Sequence, residues 1–330
     1  MIPFTEVLKA RERLANRVLL TPMRAAPGLD RRTGQHVRLK CEHQQTTGSF
    51  KLRGATNALL QLDEEQRRRG VVAASTGNHG RALAHAARQM GVPAVICMSS
   101  LVPANKVEAI EALGATVRII GRSQDDAQRE VDRLVSDDGL VMVAPFDDPA
   151  VIAGQGTLGL ELMEQAPDTG SVLVPLSGGG LIAGVALAVK TVSPQTQVIG
   201  VSMERGPAMQ RSLAAGRPID VEELPTLADS LGGGIGLANK HTFEMVKALV
   251  DDVVLVSEAE IAAAIRTAHA EAGEVIEGAA AVGMAALAAG KVRTSGPVVV
   301  VLSGRNIDMA LHARIVAGET PDLLREVAHA

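Results

Sequence analysis

The chain has 330 residues and a formal net charge of −4, from 33 Lys and Arg against 37 Asp and Glu, so no broad basic surface invites nucleic acid or an anionic membrane. That length is too great for one small core and suits about two domains. Cys41 and Cys97 are too few for a disulfide framework and lack metal-site spacing.

The N-terminus, with Glu6, Lys9, Arg11, Glu12 and Arg13, is amphipathic and charged and holds no signal-peptide core. The run Asp63-Glu64-Glu65 ahead of Arg67-Arg68-Arg69 and Gly70 predicts a helix with acids early, bases late and a glycine stop. Strands are expected at His36–Cys41, Val71–Ser75, Ala94–Met98, Thr116–Ile120, Leu140–Ala144, Ser171–Pro175, Val198–Ser202, Asp252–Val256 and Pro297–Leu302. Periodic helices such as Asn105–Leu113 and Glu258–Ala270 lie between them. Near-continuously apolar strands separated by helices imply parallel sheets covered on both faces. No Pro/Gly/Ser linker divides the chain, and the longest weakly polar stretch, Gly278–Gly290, is too short to span a bilayer. A soluble cytoplasmic protein is expected. Trp and Tyr are absent and Phe occurs four times, so the core rests on Ala, Val, Leu and Ile.

Three segments carry chemistry. Thr46-Thr47-Gly48-Ser49-Phe50-Lys51-Leu52-Arg53-Gly54-Ala55 sets a lysine in a small, apolar, turn-forming context ahead of a helix. Read alone, Lys51 is a surface lysine. As a nucleophile it would need a pKa lowered by burial or a neighbouring cation. Ser75-Thr76-Gly77-Asn78-His79-Gly80 and Leu176-Ser177-Gly178-Gly179-Gly180-Leu181 each follow an apolar strand and precede a helix. Doubly wound folds bind ligands at such turns. Consecutive glycine N–H groups and a helix N-terminus suit a phosphate, and without the Lys and Ser/Thr of a Walker loop a nucleoside triphosphate is disfavoured. Gly154-Gln155-Gly156-Thr157-Leu158-Gly159 fits the bare dinucleotide pattern, but it follows a helix-like segment and has no acid about 20 residues on.

With Ser303-Gly304-Arg305-Asn306 and the block from Pro145 to Thr157, these segments stand in the order seen in pyridoxal-phosphate enzymes. The chain resembles the threonine dehydratase and serine racemase family (fold type II, tryptophan-synthase-β-like) from about Thr21 to Asn306. Ala228-Asp229-Ser230-Leu231-Gly232-Gly233-Gly234-Ile235-Gly236 is further similar to the dehydratases of hydroxyectoine utilisation. The resemblance implies an α/β fold of two open, mostly parallel-sheet domains sharing a cofactor cleft. Residues 70–140 would form the small domain, and 1–69 plus 141–330 the large one.

The cofactor implied is pyridoxal 5′-phosphate, held through Lys51 as a Schiff base, with Lys51 then serving as base for the Cα proton. Gly178, Gly179, Gly180 and Leu181 would hold the phosphate, Asn78 would reach the ring hydroxyl, Phe50 would pack on the ring, and Glu277 matches an acid near the cofactor. Ser75, Thr76, Asn78 and His79 lie where the family binds the substrate carboxylate. Ser303 matches the position facing the pyridine nitrogen. A hydroxyl there does not enforce full protonation as a carboxylate would, which favours expelling a β-leaving group. Read from residue type alone, Ser303 ends a buried strand, His79 is a structural histidine and Glu277 an exposed helix start.

These roles imply a lyase that removes water from a β-hydroxy-α-amino acid of the L-threonine or L-serine type, or a hydroxyectoine-derived amino acid, giving a 2-oxo acid and ammonia. The alternative is an amino-acid racemase on the same cofactor. Thr76 stands where racemases place a serine, as the acid on the face opposite the lysine, and its β-branch restricts χ1. Residues Ser202, Gly206 and Ala208 lack the oxygen ligands of racemase-like metal sites, so no divalent metal is expected. Arg305 replaces a frequent glycine and Gly278 a frequent proline. The sequence leaves no room for a regulatory domain after the core, so feedback control by isoleucine is not expected. A homodimer is the family expectation.

Overall fold

The computed structural model describes residues 1–75, 77–100, 102 and 104–328. In chain order the strands are β1 (Met23–Ala25), β2 (Val37–Lys40), β3 (Val71–Ala74), β4 (Ala94–Met98), β5 (Thr116–Ile119), β6 (Val141–Met142), β7 (Ser171–Pro175), β8 (Gln197–Met203), β9 (Asp252–Val256) and β10 (Val298–Val301). They form a six-stranded sheet, β1-β2-β10-β7-β8-β9, and a four-stranded sheet, β5-β4-β3-β6. Every pairing is parallel except β1 with β2.

Both sheets are covered on both faces. In β10, Val298 and Val300 pack toward the helices Glu258–Ala272 and Gly278–Ala288. Val299 and Val301 turn the other way, toward the helix Gly180–Val192, as a period of two requires. In the smaller sheet, Val71, Ala73, Ile96 and Met98 pack with Ala82, Leu83 and Ala86 of the helix Asn78–Met90. Val72 and Cys97 face Val131 and Leu134 of the helix Gln124–Asp137. Leu52, Ala55 and Leu59 of the helix Lys51–Leu60 join the first of these two clusters, so the element that begins with Lys51 is packed on the smaller sheet.

All nine expected strands are present. Three have the predicted limits; Leu140–Ala144 shrinks to Val141–Met142. Edge strand β1 had no expectation, because three residues with an exposed Arg24 and Ala25 carry no alternation. The helix Glu64–Arg69 has the Asp63 capping box, the late arginines and the Gly70 stop read from its charge pattern. Gly154, Gly156 and Gly159 all lie inside the helix Pro149–Gln165. A Cβ at each would press on Arg53, on Val7 and Gly184, or on Val185 and Ala188, so these glycines serve helix packing and not a dinucleotide. Among the described residues no helix is long and apolar enough to cross a membrane.

Candidate active site

The C-terminal ends of β10, β7 and β3 converge with the turn that carries Lys51. That turn is sewn to the end of β10: Ser49 forms an antiparallel bridge with Gly304, Phe50 N donates to Ser303 O at 3.0 Å, and Arg305 N to Gly48 O at 2.9 Å. Gly48 has φ +78°, and a Cβ there would stand 2.8 Å from Asn306 Oδ1, so the turn needs glycine on both counts. Ser303, 3 % exposed, is thereby fixed beside Phe50 and Lys51.

Lys51 opens the helix Lys51–Leu60. Its Nζ donates to Pro145 O at 2.6 Å and lies 5.3 Å from the centroid of the Phe50 ring. Burial pushes its pKa down to about 8, against an upward pull from Glu277. This is the lowered value a nucleophilic or basic lysine requires.

Asn78 begins the helix that follows β3 and ties the two sheets together. Its Nδ2 donates to Glu277 Oε1 at 2.8 Å, and its Oδ1 accepts from Asn306 Nδ2 at 2.5 Å. Asn306 also donates its backbone N–H to Glu277 Oε2 at 3.0 Å. Glu277 precedes the helix Gly278–Ala288 yet is only 2 % exposed, which corrects the reading of an exposed helix start. Burial raises its carboxyl to about 7, with Asp229 adding to the rise and Asn78, the Asn306 N–H and Ser230 opposing it.

The other predicted residues divide by what their side chains touch. His79 is buried, and its Nε2–H donates to Val143 O at 2.8 Å; burial, then the Lys51 charge, hold its pKa down at about 3, so the ring is neutral. Ser75 Oγ accepts from Gly80 N at 3.1 Å and so stiffens the turn. Thr76 lies outside the described residues.

Gly179 precedes the helix Gly180–Val192 with φ +91°, and no side chain caps that N-terminus. A Cβ on Gly180 would stand 2.8 Å from Phe146 O, so only glycine leaves the first-turn N–H groups open to an anion. Leu181, 6 % exposed, continues that turn. Thr47 Oγ1, Ser49 Oγ and His79 Nδ1 are buried without a hydrogen-bond partner. Orphaned polar atoms beside a lysine and an open glycine cradle suit a phosphorylated, polar group such as pyridoxal phosphate.

Pro145, Phe146 and Asn306 belong to quoted motifs but had no assigned role, and Asp229 lay in the block compared with hydroxyectoine enzymes. Contacts made 199 and 228 residues apart leave no trace in local spacing. A cavity of about 250 Å³ opens beside the turn, lined by Thr46, Gly48, Arg81, His85, Arg305 and Asn306. Cys41, His43 and Glu274 form a buried group with metal-ligand atoms within 4.8 Å of one another. Its carboxylate already accepts from Gln44 at 3.0 Å and pairs with Arg24 and with His43, and burial holds the Cys41 thiol up at about 12. This chemistry does not favour a cation.

The model of the family "Pyridoxal-phosphate dependent enzyme" matches residues 15–304. A Sinorhizobium fredii protein provisionally named a threonine dehydratase is 60% identical over 311 residues, 94% of each chain. The L-threonine ammonia-lyase of Thermotoga maritima is 45% identical over 317 residues, 96% of this chain and 78% of that one. Among solved structures, maize serine racemase superposes with a TM-score of 0.90 at 32% identity, covering 99% of this chain and 98% of the other. The glycine cradle, the desolvated Lys51 and these likenesses agree, and the chain belongs to the pyridoxal-phosphate-dependent enzymes of fold type II, among the ammonia-lyases that include the threonine dehydratases.

Proposed function

We propose that this enzyme eliminates water from a β-hydroxy-α-amino acid of the L-threonine or L-serine type. The Cα proton and the Cβ hydroxide leave together as water. The released enamine becomes an imine, which takes up water to give a 2-oxo acid and ammonia. The observation that supports this most is Lys51, lowered to about 8 and held at the Pro145 carbonyl, in a turn bonded to Ser303, whose own side chain is a hydroxyl and not a carboxylate.

When bound, pyridoxal phosphate supplies the electron sink for the pair left at Cα. The first-turn N–H groups at Gly178–Leu181 hold its phosphate, Phe50 walls off water, and Asn78 orients its ring hydroxyl. Lys51 Nζ attaches it and then takes the Cα proton, which its lowered pKa permits near neutrality. Glu277, raised to about 7, holds or yields a proton beside the ring. Ser75, Thr76, Asn78 and His79 line the substrate-carboxylate site, the neutral His79 ring serving as a polar wall. Residues 70–140, as a small domain, close on the large domain of 1–69 and 141–330. A hydroxyectoine-derived amino acid is the more specialised substrate, on the strength of the Ala228–Gly236 block. The enzyme works as a cytoplasmic homodimer.

The test is direct because the chain has no Trp or Tyr. Purified protein should show a yellow absorption band that collapses with borohydride, leaving the adduct on Lys51. L-threonine or L-serine should then yield 2-oxo acid and ammonia in equal amounts, and Lys51→Ala should lose at least about 10³-fold in rate. A colourless protein that fails to take up added cofactor sinks the reading. Likeness to serine racemase keeps racemisation as a second reading, which D-serine accumulating as fast as pyruvate would favour.

A further inference from the structure

Two residues beyond Lys51, Arg53 is wholly buried and is forked between two carboxylates. Nε and Nη2 donate to Glu42 at 2.8 Å each. Nη1 and Nη2 donate to Glu161 at 2.6 and 2.8 Å, and Nη1 also reaches Thr157 Oγ1 at 3.2 Å. Lys40, wholly buried too, donates to Glu161 Oε2 at 2.7 Å, Thr21 O at 2.9 Å and Gln165 Oε1 at 3.0 Å. Two cations thus face two carboxylates.

The cluster joins β2, the 3-10 turn Glu42–Gln44, the helix Lys51–Leu60 and the helix Pro149–Gln165. Pro145, whose carbonyl accepts from Lys51, leads into the last of these. Arg53 therefore clamps the donor side and the acceptor side of the Lys51 contact to one rigid fork. A buried, balanced ion cluster is on average no more stabilising than apolar residues of the same volume. A bidentate guanidinium, in contrast, fixes orientation, and lysine cannot copy it.

We infer that Arg53, held between Glu42 and Glu161, is a positioning residue that sets where Lys51 Nζ stands in the cleft. The consequence for turnover rests on the lyase reading; the effect on Lys51 itself does not.

The test compares Arg53→Lys with the double variant Arg53→Met/Glu42→Gln, which removes one charge of each sign and leaves Lys40 with Glu161. In apoprotein, the pH dependence of Lys51 modification by trinitrobenzenesulfonate is followed by peptide mass spectrometry. The double variant should keep a cooperative thermal transition while the Lys51 midpoint moves from about 8 toward the ordinary lysine range. Loaded with cofactor, it should lose about 10- to 100-fold in kcat with KM changed less than about threefold. Arg53→Lys should fall between it and the parent. A folded double variant with unchanged midpoint and kcat overturns the proposal. Should that variant fail to fold, Arg53→Lys, which keeps every charge, decides in the same way. A moved midpoint in a protein whose parent eliminates no water leaves the positioning role standing and removes the lyase reading instead.

Discussion

Two buried polar networks flank Lys51, and they differ in how their charge is balanced. Under the helix Lys51–Leu60, Lys40, Arg53, Glu42 and Glu161 pair two charges of each sign. Burial alone would push Glu42 up, yet the Arg53 guanidinium, with Lys40 and the Thr21 hydroxyl adding to it, holds the carboxyl below its usual range. Across the cleft, Glu277 is bonded by Asn78 and by the Asn306 N–H, which carry no formal charge, and it rises to about 7. The balanced network pairs each carboxylate with a cation and acts as a frame. The unbalanced one sits at the midpoint of its titration, where a proton holder works best.

Arg53→Met by itself breaks the frame and should have the largest effect. It leaves Glu42 at 0 % exposure with no cation bonded to it, a loss on the order of 3–5 kcal/mol. Urea unfolding of the apoprotein measures it, and adding Glu42→Gln should recover a large part. If the single and double variants are equally stable, charge balance is not what the cluster supplies.

Glu277→Gln tests the other side, with opposite sign. The folded-state pKa is raised, so the native protein holds the Glu277 proton more tightly than the unfolded chain does. Stability from this group is complete below about pH 4.5 and is lost as pH rises through about 7. Replacing the acid should therefore leave apoprotein stability unchanged at pH 4 and raise it at pH 8 by on the order of 3 kcal/mol, while turnover falls. Equal stability gains at both pH values would place the effect in packing and not in the proton.

The contrast also marks what the sequence could tell. Turns such as Gly178–Leu181 and Gly48–Lys51 were legible as candidate sites because their residues are contiguous and each glycine answers a steric demand. Strand positions followed from near-continuous Val, Leu and Ile. Lys40, Glu42, Arg53 and Glu161 were not legible as a buried cluster, since each type is ordinarily exposed and the set is assembled from four elements. Glu277 was legible only as a position: a helix-start glutamate is usually solvated, and what buries this one is Asn78 from the other sheet. The orientation of His79 toward Val143 O depends likewise on a strand end 64 residues away.

The smallest effect should come from the rim of the unbalanced network. Asp229 lies at the surface, 3.5 Å from Lys106 across the cleft mouth, and its negative charge adds to the rise at Glu277. Asp229→Asn should lower the Glu277 inflection in the pH–rate profile by less than about one unit, because an exposed charge acts through water. The difference from the parent should shrink further between 0.05 and 1 M salt, as the screening length falls to about 3 Å. The same substitution should leave the Arg53 cluster untouched, with no change in Lys51 labelling beyond what the Glu277 charge transmits. An inflection that stays fixed would mean that burial alone sets the proton on Glu277. One that moves by two units would mean that Asp229 is shielded from water by the closed cleft, and that the bridge to Lys106 regulates the acid as well as the mouth.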